Sequence, residues 1–132
     1  MKVMLDTNIC IYLIKRQPPS ILERFLSHPV GAIGISSITA AELAYGVSKS
    51  RYSAKNRQAL DQFLVPLHVA VFDQAAAWSY GRLRGHLEEK GTPIGSMDML
   101  IAAHALSLGV RLVSNNLREF QKVPGLRLEN WV

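Results

Sequence analysis

The chain has 132 residues, 48% of them hydrophobic, with 15 Lys and Arg against 10 Asp and Glu for a formal charge of +5. That composition excludes a disordered polymer and suits one folded domain over residues 1–132. No apolar run reaches the roughly 18–20 residues that cross a bilayer, and no secretory leader is evident at the N-terminus. One cysteine, Cys10, supports neither a disulfide framework nor a thiolate zinc site. A cytoplasmic protein with no membrane partner is expected, and the basic balance points to a polyanion.

The first apolar run, Val3-Met4-Leu5, stops at a carboxylate, Asp6, and a second runs from Ile9 to Ile14. Thr7 and Asn8 between them favour turns and caps, so the segment reads as buried strand, turn and helix. Cys10 lies among apolar neighbours and reads as a buried structural thiol. Pro18-Pro19-Ser20 starts an amphipathic helix with Ile21, Leu22, Phe25 and Leu26 on one face, and His28-Pro29 ends it. Ala32–Ile35 is a second strand. Thr39 and Glu42 then match a capping box opening a helix towards Ser48. Lys49, Arg51, Lys55 and Arg57 form a basic stripe with Tyr52 among them, suited to a phosphate backbone or to a solvated helix end.

Ser53 is positioned to cap a further helix with Leu60, Phe63 and Leu64 inward. Leu67, Val69 and Val71 alternate with His68 and Ala70, predicting a third strand less buried on one face. Asp73 caps a helix over about 74–90 that Gly91 closes, and the rigid Thr92-Pro93-Ile94-Gly95 loop leads into a helix from Ser96 that Gly109 ends. Val110–Val113 is a fourth strand. Ser114-Asn115-Asn116 precedes a short helical turn through Glu119-Phe120, Gly125–Leu128 forms a small fifth strand, and Trp131 packs the tail. Strands alternate with helices and no tight hairpin signal joins any pair. The fold class is α/β: three layers, α/β/α, around a four- to five-stranded parallel sheet.

Most acids lie in polar or capping contexts, but Asp6, Glu42 and Asp98 fall at or near the carboxyl edge of such a sheet. Each also has a local reading: Asp6 and Glu42 as cap residues, Asp98 as a first-turn acid favoured by the helix dipole. Carboxylates that converge without a cation repel, and a hard divalent ion such as Mg²⁺ or Mn²⁺ removes the conflict. His28, His68, His86 and His104 lack zinc spacing and read as surface or packing residues, and neither a Gly-Xaa-Ser-Xaa-Gly elbow nor a Walker loop occurs.

Four segments resemble the PIN-domain ribonucleases. Val3-Met4-Leu5-Asp6-Thr7-Asn8-Ile9 is similar to their opening motif, Ile35 to Gly46 to the second, Pro93 to Ala102 to the third and Leu112 to Phe120 to the fourth. Order, spacing and length resemble the VapC-type toxins of VapBC toxin–antitoxin pairs. The resemblance implies that Asp6 and Asp98 are the principal Mg²⁺ ligands and that Glu42 is a third acid, binding the metal directly or through water. Many members carry an aspartate where this chain has Asn116, and Glu119 is the acid one turn away. Thr7 or Asn8, and Ser37 or Ser114, are placed to orient ligands.

The implied activity is a Mg²⁺-dependent endoribonuclease, with Mn²⁺ as a possible substitute, leaving 5′-phosphate and 3′-hydroxyl ends. Its RNA is tRNA, with the initiator tRNA a candidate, and Lys49, Arg51, Lys55, Arg57, Arg82 and Arg84 are the cations set to neutralise backbone charge. The implied partners are a VapB-type antitoxin and a second copy of the chain in a homodimer within a larger assembly. Two other classes stay open from the residues alone. A phosphotransfer domain also uses an aspartate after strand one, though this chain has Asn8 and Ser114-Asn115-Asn116 where that chemistry wants an acid or a lysine. A non-catalytic RNA-binding module is the other.

Overall fold

Two buried layers, one on each side of a parallel sheet, account for the order in which apolar and polar residues follow one another. The computed structural model describes residues 1–132. Its elements are β1 (Val3–Leu5), α1 (Thr7–Lys15), α2 (Pro19–Leu26), β2 (Ile33–Ser36), α3 (Ser37–Ser48), α4 (Ser53–Leu64), β3 (His68–Ala70), α5 (Gln74–Glu89), α6 (Ser96–Leu108), β4 (Arg111–Val113), α7 (Leu117–Phe120) and β5 (Leu128–Glu129). All neighbouring strands pair in parallel in the order β3-β2-β1-β4-β5, with Leu5 registered against Ile35 on one side and Val113 on the other.

β1 is central, so its run is apolar without alternation: both of its faces are covered. Val3 and Leu5 join a cluster with Ile9, Leu13, Leu43 and Leu60 from the α1, α3 and α4 side. Met4 joins the opposite cluster with Leu83, Leu87, Ile101 and Phe120. Gly34 keeps the β2–β3 pair close, since a Cβ there would stand 2.6 Å from the His68 carbonyl oxygen. The expected three-layer architecture is the one observed, with a five-stranded sheet.

Four local expectations need correction. The capping box over Thr39 and Glu42 does not form. Ser36 caps α3 instead, its Oγ accepting from the Ile38 N–H at 3.0 Å, which leaves Thr39 and Glu42 inside the helix. Ser53 is the first residue of α4, not its cap. In β3 the inward residue is Ala70, while Val69 and Val71 are 38% and 74% exposed. This strand is outermost in the sheet, and alternation alone does not say which face of an edge strand is covered. β5 begins at Leu128, later than expected, because Gly125 still turns the chain at φ +78°.

This topology positions the site. The chain winds outward from β1 through β2 to β3, then returns to place β4 on the other side of β1. Ligands in open α/β sheets bind at such a reversal, outside the carboxyl ends of the strands. Asp6 and Ser114 follow the two strands that flank it. α6 leads through Gly109 directly into β4, so it runs against the strands and its N-terminal turn, with Asp98, lies at the same edge.

Candidate active site

Asp6 carries out both roles that its sequence context allowed. It is the N-cap of α1, with Oδ1 accepting from the Ile9 N–H at 2.8 Å, and its own N–H donates to the Val113 carbonyl at 3.0 Å. It is only 3% exposed. Burial is the main reason its pKa is pushed up to about 6, and the charges of Asp98 and Glu42 push the same way against the Ser114 hydroxyl and the Ile9 N–H. The displacement from 3.8 corresponds to roughly 3 kcal/mol of opposition to the anion.

Glu42 sits half-buried in the second turn of α3, and its Oε1 accepts from the Thr7 hydroxyl at 2.6 Å. Thr39, fully buried, lies 3.3 Å from the same Thr7 oxygen. With the Thr7 proton committed to Glu42, Thr39 is the donor in that second bond, so two hydroxyls in series fix the carboxylate. Asp98, half-buried in the first turn of α6, has its pKa raised by burial first, then by Glu42 and Glu119. The four acids therefore share one field. No Lys, Arg or His forms an ion pair with Asp6, Glu42 or Asp98.

This edge is a set of hard oxygen donors with a negative charge that the protein leaves uncompensated, which fits a hard divalent cation. No three His, Cys, Asp or Glu side chains stand together as a preformed cage. The donor set is that of an ion keeping most of its waters and taking one or two carboxylates, the habit of Mg²⁺.

The other expected residues separate. Glu119 reaches the field of Asp98 but also pairs with Lys122 at 3.2 Å. Asn116 occupies the N-cap position of α7 without a side-chain cap bond, and its backbone N–H donates to Ser114 Oγ at 2.9 Å. Lys49, Arg51 and Lys55 are exposed, and none of them has a carboxylate partner. Arg57 pairs with Asp61, and Arg84 with Glu88 and Tyr80. Arg82 and Arg84 are two residues apart on α5, about 200° around the helix, so they leave it on opposite sides.

Sequence reasoning missed Thr39, which looked like a capping residue. It also missed an apolar groove of about 300 Å³ between α1, α3 and α4, lined by Ile11, Ile14, Val47 and Leu60 with Glu42 and Lys15 among its walls. The signal for Thr39 was present: a hydroxyl three residues before an acid, on the helical side that also carries Leu43.

Comparison with known proteins agrees with the geometry. Residues 3–126 match the PIN domain. The chain is 48% identical over its whole length to ribonuclease VapC2 of Haemophilus influenzae, covering 99% of that protein. It is 45% identical to the tRNA(fMet)-specific endonuclease VapC of Shigella flexneri, over 99% of this chain and 98% of that one. Among solved structures, DNA-bound VapBC from Salmonella typhimurium superposes with a TM-score of 0.96 at 45% identity, covering 100% of this chain and 99% of that one. Fold and acidic edge together are those of a PIN domain. Within that class, the chain belongs to the VapC ribonucleases. As a nuclease it leaves behind both the phosphotransfer and the non-catalytic readings.

Proposed function

We propose that this chain is the toxin nuclease of a toxin–antitoxin pair and cuts tRNA in the cytoplasm through a divalent cation held at the acidic edge, the whole chain acting as one catalytic domain. The observation that carries the reading is the buried, uncompensated Asp6 within the field of Glu42 and Asp98. Asp6 and Asp98 are the residues to hold Mg²⁺ or Mn²⁺ directly, with Glu42 reaching it through water. When bound, such an ion neutralises the scissile phosphate and lowers the pKa of the attacking water. Glu42, fixed by Thr7, orients that water and accepts its proton, and the products carry 5′-phosphate and 3′-hydroxyl ends.

Asn116 and Glu119 complete the fourth side of the site, Asn116 as a neutral hydrogen-bonding group and Glu119 as the more distant acid. Lys49, Arg51 and Lys55 supply free positive charge for RNA, with Arg57, Arg82 and Arg84 contributing less. The Shigella flexneri relative is specific for tRNA(fMet) by name, and this chain shares 45% of its residues, which supports an initiator tRNA substrate. The VapBC structures support a VapB-type antitoxin as partner, and we further propose a homodimeric toxin within that assembly. The apolar groove beside Glu42 suits an antitoxin segment whose cation pairs with the acids.

The test is cleavage of a labelled tRNA pool with Mg²⁺, with EDTA, and with Asp6→Asn or Asp98→Asn, read by sequencing the cut ends. Cleavage should need both the metal and each aspartate. Full activity in EDTA or in either variant would reject the mechanism.

A further inference from the structure

We infer that Tyr45 and Lys49 form a docking strip for single-stranded RNA next to the cleavage site, with Tyr45 stacking on a nucleobase that flanks the cut. The inference rests on the nuclease reading and adds a contact to it. Glu42 and Tyr45 on α3 and Lys49 at its C-cap stand at i, i+3 and i+7, within about 60° of one another around the helix axis. They therefore form a row whose backbone positions lie about 4.5 Å and about 10.5 Å along the axis from Glu42, with the Lys49 side chain folded back towards the Tyr45 ring.

Tyr45 is 66% exposed, and the Lys49 ammonium lies 4.9 Å from its ring centroid. A large ring left that open at the margin of an active site has no part in the core, and its hydroxyl makes no hydrogen bond within the protein. Lys49 likewise has no carboxylate partner, unlike Arg57, which Asp61 occupies. The occupant must therefore offer a flat π-face and a negative group in succession, beginning where a scissile phosphate meets the acids. Single-stranded RNA offers that sequence, because unpaired bases stack on aromatic side chains while cations follow the backbone. A duplex does not, since its bases stack on one another.

The test measures binding of a 5′-labelled single-stranded RNA by fluorescence anisotropy, using Asp98→Asn as the parent so that the RNA stays intact. Adding Tyr45→Ala should weaken binding about tenfold, within the range for loss of one base–aromatic stack, and leave the salt dependence unchanged. Tyr45→Phe should bind within about twofold of the parent, because the face is kept. Lys49→Gln should lower the salt slope by about one. An RNA with an abasic nucleotide at the flanking position should make Tyr45→Ala silent.

A Tyr45→Ala variant that binds like the parent overturns the strip and leaves the nuclease reading standing. So does equal weakening by Tyr45→Ala and Tyr45→Phe, or a change of self-association in sedimentation at constant RNA affinity, which would make this face a contact between copies. A parent that binds neither this RNA nor tRNA overturns the proposed RNA substrate on which the strip rests.

Discussion

Two carboxylates near the ends of strands in this sheet live in opposite surroundings. Glu129, on β5, accepts from the Trp131 indole N–H at 3.0 Å, pairs with Arg24 at 2.6 Å and lies 3.9 Å from an Arg111 nitrogen. The Trp131 bond and those arginines hold its pKa below the usual value. Asp6, just beyond β1, is more deeply buried, has acids for neighbours and no cation. Where a carboxylate serves the fold, the chain supplies the positive charge. At the central edge it withholds that charge, and the counter-ion has to come from outside.

Substitutions at the two positions should behave differently, and the largest difference is in catalysis. Loss of a residue that merely orients a metal ligand already costs roughly 10–100-fold, so Asp6→Asn or Asp98→Asn should lower tRNA cleavage by about 100-fold or more. Glu129→Gln should leave the rate within about twofold of wild type, because surface ion pairs contribute little. Parallel cleavage assays check both.

Stability should reverse that ranking. The raised pKa of Asp6 means that the folded chain holds its proton more tightly than the unfolded chain. Its contribution is full below about pH 4, declines as pH rises towards about 6, and stays low above that. Asn still accepts the Ile9 N–H, so metal-free Asp6→Asn should be more stable at pH 7.5 by up to about 3 kcal/mol, seen as a higher Tm. For Glu129, whose pKa is lowered, the stabilisation is present above the unfolded value near 4.5 and is lost as pH falls through the folded value. Glu129→Gln should cost about 1 kcal/mol at pH 7 and flatten that acid loss, measured by denaturant unfolding at several pH values.

A smaller effect sharpens the contrast within the site. Thr7→Val removes the hydroxyl that donates to Glu42. Binding of Mn²⁺ should weaken by about tenfold, the scale of losing a group that orients a metal ligand. Thr7→Ser should restore it, and calorimetric titration reads both.

Much of this was legible in the residues. The apolar run at Val3–Leu5 announced a buried strand and Ala32–Ile35 a second one, and the absence of hairpin turns announced parallel pairing. Asp6 was legible as a helix cap at the end of a buried strand, the role it plays towards the Ile9 N–H. The phase of β3 was not, because an edge strand takes its covered face from tertiary packing, here leaving Val71 outside and Ala70 inside. Thr7 was legible as a residue to orient a ligand, and it holds Glu42; the part of Thr39 was hidden by a competing local pattern, the capping box, which lost to Ser36. Ser36 also bonds the buried His104 Nδ1 at 2.8 Å, so its cap position is fixed by α6 as well as by its own helix. The basic stripe was legible as charge alone; that Asp61 occupies Arg57 while Lys49 lies against the Tyr45 ring with no carboxylate partner is a fact of folded geometry.

The central claim is that acids from remote parts of the chain meet around one divalent cation, and isothermal titration calorimetry with Mn²⁺ tests it most directly. Wild type should bind the ion at the acidic edge, with affinity lost in Asp6→Asn and in Asp98→Asn, reduced in Glu42→Gln, and unchanged in Glu129→Gln. Equal binding by wild type and both aspartate variants would contradict the account.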